Sequence, residues 1–222
     1  MFDAFILVPE ITRGMKSIGS KALLKIKQSS AVLDYQIMQL NTIKGLETIH
    51  IGTGFESEKI KKNTNKYSNI NIIFNEEYKT TNQTASLLLY LQQNKPKNIL
   101  IISSGVLFKN LFHRCEHNNH SKIYMIDKPK NNFNIGCHDT ERIQYLFYDF
   151  PIVWSECVYF NEETMSRLQH LSDKKNLNQN YLFETINILL NENLSFDKVF
   201  VDKKNILKIS SLKDIPKAKL FV

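Results

Sequence analysis

The sequence predicts one α/β domain: a three-layer sandwich with helices on both faces of a mostly parallel, mixed sheet. Two observations predict it. Short apolar runs alternate with amphipathic runs through the first half of the chain, which is the pattern of buried strands joined by crossover helices. Hydrophobic residues make up 42% of the 222 residues, enough for one large core, while 7 Gly and 5 Pro are too few for a loop-rich or disordered chain.

The elements follow in order. Ala4 to Val8 is an apolar run that ends at Pro9 and reads as a buried strand. Residues 10–20 carry Gly14 and Gly19 among polar residues and read as a loop. Lys21 to Ile26 reads as extended. Val32 to Leu40 has helical periodicity. Thr48 to Ile51 is a strand stopped by Gly52-Thr53-Gly54, and Glu56 to Thr64 is a helix. Ile70 to Phe74 is a strand, followed by the polar segment Asn75 to Thr81. Thr84 to Gln93 is a helix. Asn98 to Ser103 is a buried strand, and Ser104-Gly105 makes a turn. Strands alternating with helices imply parallel pairing and right-handed crossovers. Ligands on such sheets lie beyond the carboxyl ends of the strands, here near Pro9 and near Ser103 to Gly105.

The second half is more mixed. Lys122 to Ile126, Arg142 to Phe147 and Ile152 to Phe160 read as strands, and so do the short runs Lys198 to Val201 and Ile206 to Ile209. Thr164 to Leu171 and Tyr181 to Asn191 read as helices. No repeat or low-complexity linker divides the chain, so residues 1–222 read as one domain.

Charge and cysteines narrow the setting. The net charge of +7 can attract polyanions, but no compact basic tract of the nucleic-acid type is present, so it reads first as Lys and Asn abundant on the surface. Three widely spaced cysteines, Cys115, Cys137 and Cys157, read as reduced thiols in a cytoplasmic protein. No apolar run is long enough for a membrane helix, and the N-terminus lacks the features of a signal peptide.

Five segments, in order, carry a resemblance. They are Leu7-Val8-Pro9 through Met15 to Leu23; Leu33-Asp34-Tyr35-Gln36; Phe74 to Tyr78 with Thr81 to Leu87; Ile99 to Phe108; and Asn180 to Asn187 with Ile206 to Asp214. Together the chain resembles the nucleotidyltransferase superfamily of Rossmann-like, glycosyltransferase-A type fold. Within it, the flavour is that of the sugar-phosphate and phosphocholine cytidylyltransferases. The resemblance implies a nucleotide-binding half at 1–112 and an acceptor-side half at 113–222. It implies that Pro9, Gly14, Gly19, Asn82, Gln83, Thr84, Ser103, Ser104 and Gly105 contact a nucleoside triphosphate, CTP or UTP. Lys21, Arg13 and Lys208 would supply positive charge to the phosphates. A phosphorylated acceptor would lie over the strand ends near Ser103 to Gly105 and Ser155-Glu156.

The departures from the family pattern concern its metal. The resemblance implies Mg²⁺ held by an Asp after the central strand and an Asp in the closing element. This chain has Ser103-Ser104-Gly105 at the first place and Lys208 at the second, so no metal ligand is assigned. The loop after Pro9 is about two residues short of the pattern. Glu10 would bring negative charge there, and Arg13 lies one residue off register. Three readings follow: a nucleotidyltransferase in surface-polysaccharide or phospho-alcohol activation, a pseudoenzyme that keeps the fold to bind a protein partner, and a metal-independent glycosyltransferase-like enzyme.

Other candidates have blander readings. His113, Cys115, His117 and His120 are zinc-type donors, but all are local to one stretch, whereas structural zinc ties separated segments together. Cys137-His138-Asp139 are adjacent, so their side chains diverge. Trp154, Tyr145, Phe147, Tyr148, Phe150 and Tyr159 read first as packing, and second as stacking surfaces for a base.

Overall fold

A computed structural model describes residues 1–8, 19–28, 30–110, 120–127 and 134–222. The main sheet has nine strands among these residues. Four parallel strands form one side: β1 (Phe2–Val8), β2 (Leu46–Thr53), β3 (Ile70–Phe74) and β4 (Ile99–Ser103). β9 (Ile152–Phe160) runs antiparallel between β4 and β6 (Ser121–Asp127). β10 (Phe196–Phe200) is the far edge, parallel to β6. Two short strands, β7 (Ile135–Cys137) and β8 (Phe147–Tyr148), extend β9. A separate two-stranded ribbon pairs β5 (Val106–Phe108) with β11 (Ile206–Lys208). The predicted mixed, mostly parallel sheet is therefore present.

Alternation along the strands builds two cores. Phe5 and Leu7 of β1, with Ile99 and Ile101 of β4, face α3 (Gln83–Gln93), α4 (Glu162–Ser172) and α5 (Leu182–Asn191). Ala4, Ile6 and Val8, with Leu100 and Ile102, face α1 (Val32–Leu40) and α2 (Ser57–Thr64). A third cluster joins Val32 and Tyr35 to Leu107, Ile209 and Ala218 of α6 (Ile215–Phe221). Every residue of β1 is buried, as a central strand requires.

Three expectations need correction. Gly52 does not stop β2, which runs through to Thr53. A Cβ on Gly52 would lie 2.7 Å from the Phe5 ring and 2.9 Å from Ser86, so the glycine serves the close approach of α3 to the sheet. Residues 142–146 form no strand. Ile143 and Leu146 are buried at a spacing of three, not two, and the backbone of Leu146 bonds the Asn187 side chain instead of a neighbouring strand, at 2.7 and 2.8 Å. Lys21–Leu23 is a 3₁₀ turn and not extended chain.

The sheet order decides where a ligand lies. From β1 the chain moves outward to β2 and β3, then returns to place β4 on the other side of β1. The strand order therefore reverses between β1 and β4. A crevice at their carboxyl ends, beyond Val8 and Ser103, is the expected binding position.

Candidate functional site at the β1–β4 switch point

The turn after β4 is held by four separate segments. The Ser104 N–H donates to Leu7 O at 3.0 Å, tying the turn to β1. The Gln36 side-chain amide donates to Ser103 O at 2.9 Å and to Val106 O at 2.8 Å. The Ile209 N–H donates to Gly105 O at 2.8 Å. The fourth segment carries Lys21. A Cβ on Gly105 would lie 2.9 Å from Ile209 O, 3.5 Å from Lys21 Cδ and 3.7 Å from Lys21 Nζ. The lysine stem thus lies across the bare glycine, with its ammonium at the strand end.

The approach to Lys21 is fixed by Glu56, which follows β2. Its carboxylate accepts from the Ser20 N–H at 2.7 Å and from Lys59. The hydrogen bond from Lys59 does most to hold the Glu56 carboxyl below its ordinary range. Gly19 has φ +93°, and a Cβ there would sit 2.5 Å from the same carboxylate. Only glycine combines that backbone with that contact. Nothing in the sequence singled out Glu56 as a site residue, because its partner lies 36 positions away.

Lys208 reaches the same turn from β11, where it pairs in register with Val106. Its ammonium forms an ion pair with Glu156 of β9. The two side chains are only 18% and 21% exposed, so the pair is half-buried. Cys157, next to Glu156, pairs with Ile102 of β4, so residue 156 lies just beyond the end of the β4–β9 pairing. The sequence assigned Lys208 to the phosphates and Ser155-Glu156 to the acceptor, and the structure joins the two.

Asn82, Gln83 and Thr84 start α3 at the carboxyl edge of the sheet, and all three bond to the 178–185 segment. The Asn82 N–H donates to Asn178 O at 2.8 Å, and its side chain donates to Gln179 O. The Leu182 N–H donates to Gln83 Oε1 at 3.5 Å. The buried Thr84 hydroxyl pairs with that of Thr185 at 2.7 Å. These bonds fasten the start of α3 to the segment that leads into α5. Pro9, Arg13 and Gly14 lie outside the described residues.

Other sequence candidates fall elsewhere. His120 faces Asp197 at 3.6 Å on the surface, and His113, Cys115 and His117 lie outside the described residues. Cys137 is buried, which raises its thiol pKa and opposes thiolate chemistry. Trp154 is buried and donates to Cys157 O at 2.8 Å, a packing role. Tyr148 meets Phe183 edge-on, and Tyr181 stacks on Phe183.

The donors at the switch point do not fit a carboxylate-held Mg²⁺. Ser103 and Ser104 are uncharged, Lys208 cannot donate a lone pair while charged, and Glu156 is engaged with Lys208. Among the described residues no group of three or more His, Cys, Asp or Glu converges.

The fold is the α/β fold that solved nucleotidyltransferases share. Three solved structures are particular instances of that fold. CTP:phosphocholine cytidylyltransferase from Streptococcus pneumoniae is 22% identical, with a TM-score of 0.82 over 99% of this chain and 98% of that one. The inositol-1-phosphate CTP transferase from T. maritima has 11% identity and a TM-score of 0.77, covering 99% of this chain and 94% of that one. The nucleoside-diphosphate-sugar pyrophosphorylase from Vibrio cholerae has 9% identity and a TM-score of 0.77, covering 99% and 100%. No protein-family model matches the sequence, and no curated protein does. Among the described residues no helix is long and apolar enough to cross a membrane.

Proposed function

We propose that the chain binds a nucleoside triphosphate, CTP or UTP, at the β1–β4 switch point and transfers its nucleotidyl group to a phosphorylated small acceptor. One observation carries the reading: the Lys21 ammonium lies over Gly105, at the position where doubly wound sheets bind phosphates. A lysine there acts as a compact point charge toward phosphate oxygens. Lys208 brings a second ammonium to the same turn. The family resemblance also assigns Pro9, Arg13, Gly14 and Gly19 to the phosphates. Asn82, Gln83 and Thr84 would present the rim on the nucleobase side, and the acceptor would lie toward Glu156. The chain's own residues would bind, orient and neutralise. Attack of an acceptor phosphate oxygen on the α-phosphorus would release pyrophosphate, and the ammonium groups would stabilise the charge that develops there.

The exchange of Asp-type positions for Ser103, Ser104 and Lys208 favours a second reading, in which the chain is a pseudoenzyme that keeps the fold to bind a protein partner. Thermal shift with CTP and UTP, with and without Mg²⁺, separates the two. A ligand that binds the folded chain raises its melting temperature by mass action. The expected result is a shift with CTP or UTP that Lys21→Ala abolishes. Release of pyrophosphate on adding a sugar phosphate or phosphocholine then distinguishes transfer from binding. No shift with any nucleotide would refute the nucleotide reading.

A further inference from the structure

We infer that Glu156 is a built-in competitor for the anion that Lys208 receives, an inference that rests on the nucleotide reading above. It starts from an irregularity in β9. Ile123 pairs with Val158, and Met125 pairs with Trp154, so three β9 residues stand opposite Tyr124 alone. Those residues are Ser155, Glu156 and Cys157, and Glu156 has φ +60°. A non-glycine residue in the left-handed region is uncommon, and a bulge of this kind re-aims a side chain, often beside an active site. Here it carries the Glu156 carboxylate to Lys208.

Lys208 is anchored independently. The next residue, Ile209, bonds Gly105 O at 2.8 Å, so the lysine backbone cannot leave the turn without breaking the β5–β11 ribbon. An anion arriving at Gly105 therefore meets the Lys21 ammonium together with a Lys208 ammonium already paired to a carboxylate. To take Lys208 the anion must outcompete that carboxylate. A phosphate dianion or a pyrophosphate carries the charge to do so, whereas a monocarboxylate offers no gain over Glu156. The pair thus filters for polyphosphate over singly charged anions and keeps Lys208 neutralised between ligands. At the same bulge the buried Ser155 hydroxyl has no hydrogen-bond partner among the described residues.

The probe is inorganic pyrophosphate, titrated calorimetrically into the full chain. Removing one partially exposed carboxylate from Lys208 should tighten binding about five-fold in Glu156→Gln. Glu156→Gly, which also suits the left-handed backbone, should give the same gain if Gln destabilises the bulge. Adding Lys208→Gln to either variant should return affinity to the wild-type level or below. Acetate should not compete in the wild type and should compete weakly in Glu156→Gln. Unchanged or weaker pyrophosphate binding in both Glu156 variants overturns the inference. If wild type still shifts with CTP in that case, the nucleotide reading survives its failure. If the Glu156 variants gain pyrophosphate affinity but no nucleotide binds, the competitor role stands and the nucleotide reading falls. If pyrophosphate binds none of the chains, the competitor role falls and the CTP shift alone decides the nucleotide reading.

Discussion

The side-chain amide of Gln36 donates to the backbone carbonyl of Ser103 at 2.9 Å and, with its second proton, to that of Val106 at 2.8 Å. One fully buried residue of α1 thus closes both ends of the Ser104-Gly105 turn. This fixes the strand end against the helix that packs beneath it. Gln36→Leu leaves two carbonyls without their donors. The expected loss is about 2 kcal/mol, softened because the unpaired Gln36 Oε1 is removed as well. Urea unfolding measures it, and the CTP-induced melting shift should shrink in parallel.

Gly105 tolerates no side chain without movement. Its Cβ position lies 2.9 Å from a backbone oxygen of Ile209, and backbone cannot rotate away as a flexible side chain can. Gly105→Ala should displace the β5–β11 ribbon and cost about 1–3 kcal/mol. It should also weaken nucleotide binding, because Lys21 is the next neighbour. Nucleotide titration of a variant that remains folded at 20 °C, roughly the temperature of greatest stability for many domains, checks this.

The Thr84–Thr185 hydroxyl pair joins α3 to α5 across 101 positions in the chain. Among the described residues, Thr84→Val leaves the Thr185 hydroxyl with only its 3.3 Å bond to Tyr181 O. A loss of about 1 kcal/mol is expected. The Thr84→Val, Thr185→Val double variant should cost less than the sum of the single changes. A double-mutant cycle by chemical denaturation gives the coupling.

At the opposite end of the sheet Asp3 is buried. Its carboxylate contacts His50 Nε2 at 3.3 Å, the Tyr90 hydroxyl at 3.4 Å, the Thr48 N–H at 3.2 Å and Lys97 at 3.8 Å. Burial alone would raise the Asp3 pKa, but the His50 hydrogen bond and charge, Lys97 and the Thr48 N–H outweigh it and hold it below the ordinary value. A depressed carboxyl adds stability above its unfolded pKa of about 3.9, and that contribution is lost as pH falls through the lower folded value. Acid unfolding should therefore steepen below about pH 4. Asp3→Asn should be less stable at pH 7 by about 2–3 kcal/mol, with a flatter acid limb. Denaturant midpoints from pH 2 to 7 test the sign.

Much of this molecule was legible in local pattern. Val32–Leu40 and Ile70–Phe74 fall where periodicity placed them, and β4 begins within one residue of expectation. Motif order groups Lys21, Lys208 and Ser103 to Gly105, and the structure brings the Lys21 side chain and the Lys208 backbone to the Ser104-Gly105 turn. The short strands β5 and β7 were not legible. Nor was the loss of the strand expected at 142–147, where the backbone hydrogen bonds of Leu146 go to Asn187.

The sequence alone determined which segments are buried, because strand and helix periods depend on neighbours a few residues away. Tertiary structure alone decided which charges meet. Glu156 and Lys208 are 52 positions apart, and Glu56 and Ser20 are 36 apart. Such pairs are set by strand order and by a bulge in β9, and neither is encoded in a local repeat. The same strand order places Glu156 on Lys208 at the turn where Lys21 lies over Gly105, and so decides the electrostatics of the site.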